Sequence, residues 1–60
     1  MTKQRMIELC NNASDAMQRE IEEFIRSEDL HGAAEYTERM RGMIAFCQTL
    51  AAMWEEGENA

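Results

Sequence analysis

The sequence predicts an all-α fold, an antiparallel two-helix hairpin that dimerises into a four-helix bundle. The 60-residue chain has no proline and only three glycines, so nothing in its composition forbids long helices. Apolar residues recur at helical spacing in two segments separated by one short polar break. Each segment carries more apolar surface than one partner helix can cover, and this excess favours self-association.

The first helix is predicted over about residues 2–28, with Thr2 as its N-cap because its hydroxyl can accept hydrogen bonds from first-turn amides. Arg19 and Arg26 each follow a carboxylate by four residues, a spacing that favours ion pairs along the helix. The apolar stripe, which repeats at about the straight helical period, comprises Met6, Cys10, Ala13, Met17, Ile21 and Phe24.

The polar break SEDLHG places a turn at residues 28–32. Asp29 is expected to cap a second helix over about residues 30–56, and a start at Gly32 or Ala33 is nearly as favourable. So short a turn makes the two helices antiparallel neighbours. Glu55, Glu56 and Glu58 lie at the negative end of the helix dipole, and Gly57 can end the helix. We therefore expect a frayed tail at residues 57–60. We expect one domain and a complete small reading frame that starts at Met1.

The second helix carries a strict heptad pattern, typical of a helix packed along another helix. Its seam, spaced alternately by three and four residues, comprises Ala33, Tyr36, Met40, Met43, Cys47, Leu50 and Trp54. A single hairpin would leave Ile44, Phe46 and Met53 exposed beside this seam, so we assign them to contact with a second copy. The predicted dimer interface comprises Met40, Met43, Ile44, Phe46, Cys47, Leu50, Met53 and Trp54. The sequence does not decide between a dimer and a higher oligomer, or between a parallel and an antiparallel arrangement of the hairpins.

Composition narrows the classes of function. The net charge of −6 disfavours a nucleic-acid-binding arm or a polybasic membrane anchor. The apolar run at residues 43–54 is shorter than the roughly 20 residues that span a bilayer, and no signal peptide is recognisable. These features predict a cytoplasmic protein with reduced thiols and no membrane contact.

The two cysteines come level when the helices are paired about a turn near residue 29. Two small buried hydrophobes are the preferred interpretation of Cys10 and Cys47, because no lysine or arginine is placed to activate either thiol. A disulfide or redox pair is the alternative.

No metal, cofactor or catalytic residue is predicted. Glu28 and His31 have the E-x-x-H spacing of di-iron bundles, but such sites need further inward-facing glutamates that the apolar stripes do not supply. His31 is therefore interpreted as a turn residue. The sequence has no nucleophile–base pair, glycine-rich phosphate loop or zinc spacing, so an enzyme is not expected.

Two charged surfaces are candidate contact sites. A line of basic and amide residues, Arg5, Asn12, Arg19 and Arg26, repeats every seven positions along the first helix, and Lys3 lies near its start. The candidate RNA contacts are Lys3, Asn12, Arg19 and Arg26. Interleaved carboxylates make a solvated, salt-bridged face the preferred interpretation of this line. An acidic set near the turn, comprising Glu20, Glu22, Glu23, Glu28 and Asp29, is a candidate patch for a basic partner; ordinary solubilising charge is the alternative.

Two short stretches carry resemblances. The opening Met1-Thr2-Lys3-Gln4, the single hairpin and an ending with Gly57-Glu58-Asn59 resemble the Rop family of plasmid copy-number regulators, and Phe24-Ile25-Arg26-Ser27 is similar at a shifted position. The resemblance implies a dimer of hairpins that binds paired RNA loops through Lys3, Asn12 and Arg19. The stretch DLHGAAEY is similar to the start of a tetratricopeptide repeat, an array of several copies, and we take it as shared turn chemistry.

The leading functional hypothesis is a non-enzymatic regulator or adaptor that acts as a homodimer and binds an unidentified host or phage protein. In its small size, acidic charge and helical character the chain is similar to accessory proteins of lambdoid phages. This similarity is the reason for including a phage protein in the hypothesis. A Rop-like RNA-binding dimer is the alternative, and a structural assembly module is the second alternative.

Overall fold

The computed structural model describes the backbone of residues 1–59 and the side chains of residues 1–54. Helix α1 spans Lys3–Arg26 and helix α2 spans Leu30–Asn59. The two helices pack against each other as an antiparallel hairpin of 49 × 16 × 10 Å, measured over Cα atoms. The predicted all-α hairpin is therefore confirmed, and its dimerisation stays a prediction.

Helix α1 begins as the sequence predicts. The Thr2 hydroxyl oxygen accepts a hydrogen bond from the Arg5 amide at 3.1 Å, and the Thr2 carbonyl accepts one from the Met6 amide at 3.0 Å. These bonds satisfy amides that have no partner within the helix.

A Schellman motif ends α1 and forms the turn. The Glu28 amide donates to the Ile25 carbonyl at 3.0 Å, and the Asp29 amide donates to the Phe24 carbonyl at 2.8 Å. Glu28 has a φ of 60°, the left-handed conformation that this motif usually gives to glycine. The helix therefore ends two residues before the predicted boundary, because the left-handed residue reverses the chain there.

Asp29 caps α2, as predicted. Its Oδ1 accepts a hydrogen bond from the Gly32 amide at 2.9 Å. A Cβ at Gly32 would lie 2.6 Å from Asp29 Oδ2 and 2.7 Å from a ring carbon of Phe24. Glycine is therefore needed at this position because the Phe24 ring lies against the backbone of α2.

The far end of α2 differs from the prediction. The helix continues through Asn59, past the predicted end near residue 56; the frayed tail stays a prediction, and Ala60 lies outside the described residues. A glycine inside a helix costs only about 1 kcal/mol relative to alanine, which one extra turn of backbone hydrogen bonds can offset.

The core between the helices is thin. Met6 and Ala33 are the hydrophobic side chains that the described part of the chain buries fully. Every other residue of the predicted stripe and seam is half-buried, so both predicted packing lines are confirmed. At the turn end, the rings of Phe24 and Tyr36 pack with centroids 5.8 Å apart, and the Arg39 guanidinium lies 5.9 Å from the Tyr36 ring centroid.

We expect Glu28→Gly to raise the free energy of unfolding by about 1 kcal/mol, because glycine adopts the left-handed conformation without a steric penalty. Urea unfolding followed by circular dichroism measures the change. Glu28→Ala is the matched control, since it removes the charge but keeps the Cβ. An equal gain in the alanine variant would show that charge, and not the backbone, limits stability at this turn.

We expect Gly32→Ala to destabilise the hairpin by about 1–3 kcal/mol, because the new methyl group overlaps the Phe24 ring. Gly42→Ala is the control on the same helix: a Cβ there meets nothing within 4 Å, and its higher helix propensity should stabilise the monomeric chain. Thermal unfolding at concentrations where the chain is monomeric measures both changes. If both substitutions changed the stability in the same direction, the close approach of Phe24 to Gly32 would be contradicted.

Candidate interaction surface

A disulfide links the two helices. It joins Cys10 of α1 to Cys47 of α2, with Cα atoms 6.3 Å apart, within the range that such a bond requires. The predicted level placement of the two residues is confirmed, but the preferred interpretation as reduced hydrophobes is wrong. Antiparallel packing turns both side chains toward the same point between the helices, where a bond can form without moving the backbone.

The disulfide makes a large contribution to stability in a hairpin with so thin a core. It closes a loop between residues separated by 37 positions. The entropy that this loop removes from the unfolded chain stabilises the fold by about 4 kcal/mol. A domain of this size typically has a total stability of roughly 3–9 kcal/mol. The Met6 sulfur lies 3.7 Å from the Cys10 sulfur, so the covalent link and a fully buried side chain hold the open end of the hairpin together.

One face of the hairpin carries an open groove of about 230 Å³ beside the disulfide. We call it the isoleucine face, after Ile7 of α1 and Ile44 of α2, which are 37% and 36% exposed. The groove is lined by Met6, Ile7, Cys10, Asn11, Ser14, Ile44, Cys47, Gln48 and Ala51. Apolar walls with a few polar groups are typical of a surface that receives one side chain of a partner.

The opposite face carries larger exposed hydrophobic side chains. Successive helical residues are rotated by about 100°, so Leu9 and Phe46 point away from their neighbours Ile7 and Ile44 by about 200°. We call this the phenylalanine face and define it by Leu9, Phe46 and Met53, which are 41%, 60% and 60% exposed. The exposed residues that the sequence assigns to one contact therefore lie on two opposite faces.

The predicted dimer interface divides accordingly. Five of its eight members lie along the half-buried seam that faces α1, and these are Met40, Met43, Cys47, Leu50 and Trp54. Only Ile44, Phe46 and Met53 are exposed and available to a second copy. The predicted interface combined the seam with its flanks, and the structure separates the two by their exposure.

Ion pairs along the helices differ from the predicted ones. The described pairs are Arg5–Glu8 at 3.2 Å, Arg26–Glu23 at 2.7 Å and Arg41–Glu38 at 3.3 Å, each at i,i+3 spacing. The i,i+4 pairs predicted for Arg19 and Arg26 are not among them in the described residues. All of these side chains are exposed, so each pair contributes little to stability.

Glu22 is bonded elsewhere, which explains one of these differences. Its carboxylate accepts a hydrogen bond from the Gln18 amide at 3.4 Å, and Arg26 instead bonds Glu23. Hydrogen bonding to Glu23, together with the charge of that carboxylate, raises the pKa of Arg26 above its ordinary value.

The candidate RNA contacts lie along the outside of α1. Asn12, Arg19 and Arg26 are exposed, and Lys3 is half-buried at the start of the helix. Arg19 lines a shallow polar pocket together with Asp15, Gln18 and Glu22. Carboxylates therefore lie next to the basic groups along this line, and the positive potential that phosphate binding requires is locally reduced.

The acidic set near the turn, the candidate patch for a basic partner, lies on the surface of the hairpin. All five residues are exposed, but Glu23 bonds Arg26, Glu28 occupies the left-handed turn position and Asp29 caps α2. Glu22 accepts a hydrogen bond from Gln18, so four of the five residues have a role within the hairpin.

Glu28 and His31, the E-x-x-H pair, lie at the turn and in the first turn of α2. His31 Nε2 lies 3.1 Å from Glu35 Oε1 on the exposed first turns of α2, and Glu28 stands outside both helices. Among the described side chains, no three His, Cys, Asp or Glu residues lie close enough together to hold a metal ion. Within the same part of the chain, neither helix is long and apolar enough to cross a membrane.

We expect replacement of both cysteines by alanine to lower the free energy of unfolding by about 4 kcal/mol, the entropy of the lost cross-link. Chemical unfolding of the oxidised wild type, the reduced wild type and the double variant measures the loss, and the last two should agree. Alkylation followed by mass spectrometry provides the direct check. Two alkylated thiols in native chain purified without reductant would contradict the disulfide.

No protein-family model, curated protein or solved structure matches this chain. The functional proposal therefore depends on the hairpin's own residues, above all on its two exposed apolar faces.

Proposed function

We propose that the hairpin is a non-enzymatic interaction protein, a regulator or adaptor that acts as a homodimer and binds another protein. The observation that carries this proposal is the exposure of large hydrophobic side chains on both faces of a chain that buries little. Phe46 and Met53 are each 60% exposed, and hydrophobic surface left open on a small folded chain marks sites of association.

Self-association supplies the stability that the chain lacks alone. A chain of this size buries only about 60% of the surface that its unfolded form exposes, and Met6 and Ala33 are the fully buried hydrophobic residues in its described part. A second hairpin packed on one face would add a layer of helices and complete a four-helix bundle.

Dimerisation through one face leaves the other face for a different protein. The groove on the isoleucine face can take an apolar anchor, and Asn11, Ser14 and Gln48 provide hydrogen-bonding groups at its border. The net charge of −6 favours encounter with a basic surface. We therefore propose a partner that presents a hydrophobic side chain within a basic surface, and a host or phage protein remains our proposal for its source.

Binding of RNA is the competing proposal, and the local electrostatics argue against it. Glu8 and Glu23 bond the guanidinium groups of Arg5 and Arg26, and these two arginines lie on the line that would face phosphates. Each neutralised cation removes a counterion-release contribution to affinity.

A cytoplasmic location is also a proposal, and the disulfide counts against it. Glutathione and thioredoxin keep most cytosolic thiols reduced, whereas disulfides persist in oxidising compartments. Rapid alkylation of intact cells would report the state of Cys10 and Cys47 and decide the question.

Sedimentation equilibrium and an RNA-binding assay test the proposal together. We expect micromolar wild-type protein to sediment at twice the mass of the chain and to show no salt-dependent retention on structured RNA. A stable, well-folded monomer at that concentration would overturn the homodimer. Retention on RNA that is abolished by changing both Arg19 and Arg26 to glutamate would favour the Rop-like alternative.

A further inference from the structure

Gly42 has no structural role within the hairpin. It lies in the middle of α2, its φ is not positive, and a Cβ built on it would meet nothing within 4 Å. Glycine destabilises a helix interior relative to alanine. At a position where a side chain would meet no other atom, it therefore only lowers the stability of the helix. Gly32 on the same helix shows the contrast, because the Phe24 ring lies where its Cβ would be.

Gly42 lies one turn before the most exposed aromatic ring of the molecule. It belongs to a second line along α2, in which residues are spaced alternately by three and four positions: Arg39, Gly42, Phe46, Thr49 and Met53. Residues at that spacing share one side of a helix. The Thr49 hydroxyl donates to the Ala45 carbonyl at 3.0 Å, so its polar group is satisfied within α2. The line thus combines exposed apolar side chains with a gap at Gly42.

We propose that a second copy of this chain packs on the phenylalanine face, with a helix backbone of that copy passing over Gly42 beside Phe46. A missing side chain lets two helix backbones approach closely, and this close approach explains a glycine that the isolated hairpin does not need. The proposal rests on the homodimer proposed above and specifies which face forms it.

The size of the face fits a second copy. The Cα atoms of the hairpin span 49 by 16 Å across its broad side, so the projected footprint of that side is comparable with the roughly 800 Å² of accessible surface that a standard interface buries on each partner. The disulfide holds α1 and α2 of one chain together along the seam. Oxidised hairpins must therefore associate by docking intact faces and not by exchanging helices.

The isoleucine face is less suited to this contact. Its apolar residues Ile7 and Ile44 are only 37% and 36% exposed, and the side chains of Asn11, Ser14 and Gln48 surround them. A flat contact with a second copy would bury these polar groups, which is unfavourable unless each finds a hydrogen-bond partner.

Two substitutions on the phenylalanine face and two matched controls test the assignment. Gly42→Leu fills the gap with a good helix former, and we expect it to weaken dimerisation more than about tenfold. Phe46→Asp places a charge in the contact and should weaken dimerisation more than about 30-fold. Ala34→Leu, at an exposed position of α2 outside this line, and Ile44→Asp, on the opposite face, should stay within about threefold of the wild type.

Dissociation constants come from sedimentation over a dilution series, and circular dichroism establishes that each variant keeps its helices. If Phe46→Asp unfolds the chain, Gly42→Leu still decides, because leucine is a better helix former than glycine. Wild-type affinity in Gly42→Leu would overturn the assignment, as would dissociation by Ile44→Asp alone. A monomeric wild type would overturn the homodimer itself, so the two failures are distinguishable.

Discussion

Two helices lying side by side can cover only one stripe of each helix, and this geometric limit governs the molecule. The stripe of α1 and the seam of α2 meet along the hairpin, but only Met6 and Ala33 become fully buried in its described part. Everything else that is apolar is left partly or largely open. The disulfide is therefore important, because Cys10 and Cys47 supply by a covalent bond what the thin contact between the helices supplies only weakly.

The turn shows how one short segment sets the geometry of the whole chain. The Schellman bonds at Glu28 and Asp29 reverse the backbone, and the same Asp29 then caps α2. The ring of Phe24 lies against Gly32, which fixes how closely the two helices approach at this end. That approach sets the register in which Cys10 comes level with Cys47.

Carboxylates lie beside the basic groups of α1, and for this reason we propose association with proteins and not with nucleic acid. The basic residues of α1 are interleaved with carboxylates that bond several of them, so they offer no continuous positive surface. The exposed hydrophobic side chains, by contrast, form two faces with different shapes. One is a groove with polar borders, and the other presents Phe46 and Met53 beside the gap at Gly42. We propose that these two faces bind a second copy of the chain and another protein.

The sequence by itself determined the two helices, both caps, the packing stripe and the seam, because these depend on local spacing and on hydrogen bonds between near neighbours. Only the tertiary structure decided three other features. It joined Cys10 to Cys47, since bonding depends on the relative placement of two helices and not on either one alone. It brought Ile7 of α1 and Ile44 of α2 together along one groove. It also gave Gly32 a packing role and Gly42 none, because the space around a glycine is a property of the folded chain.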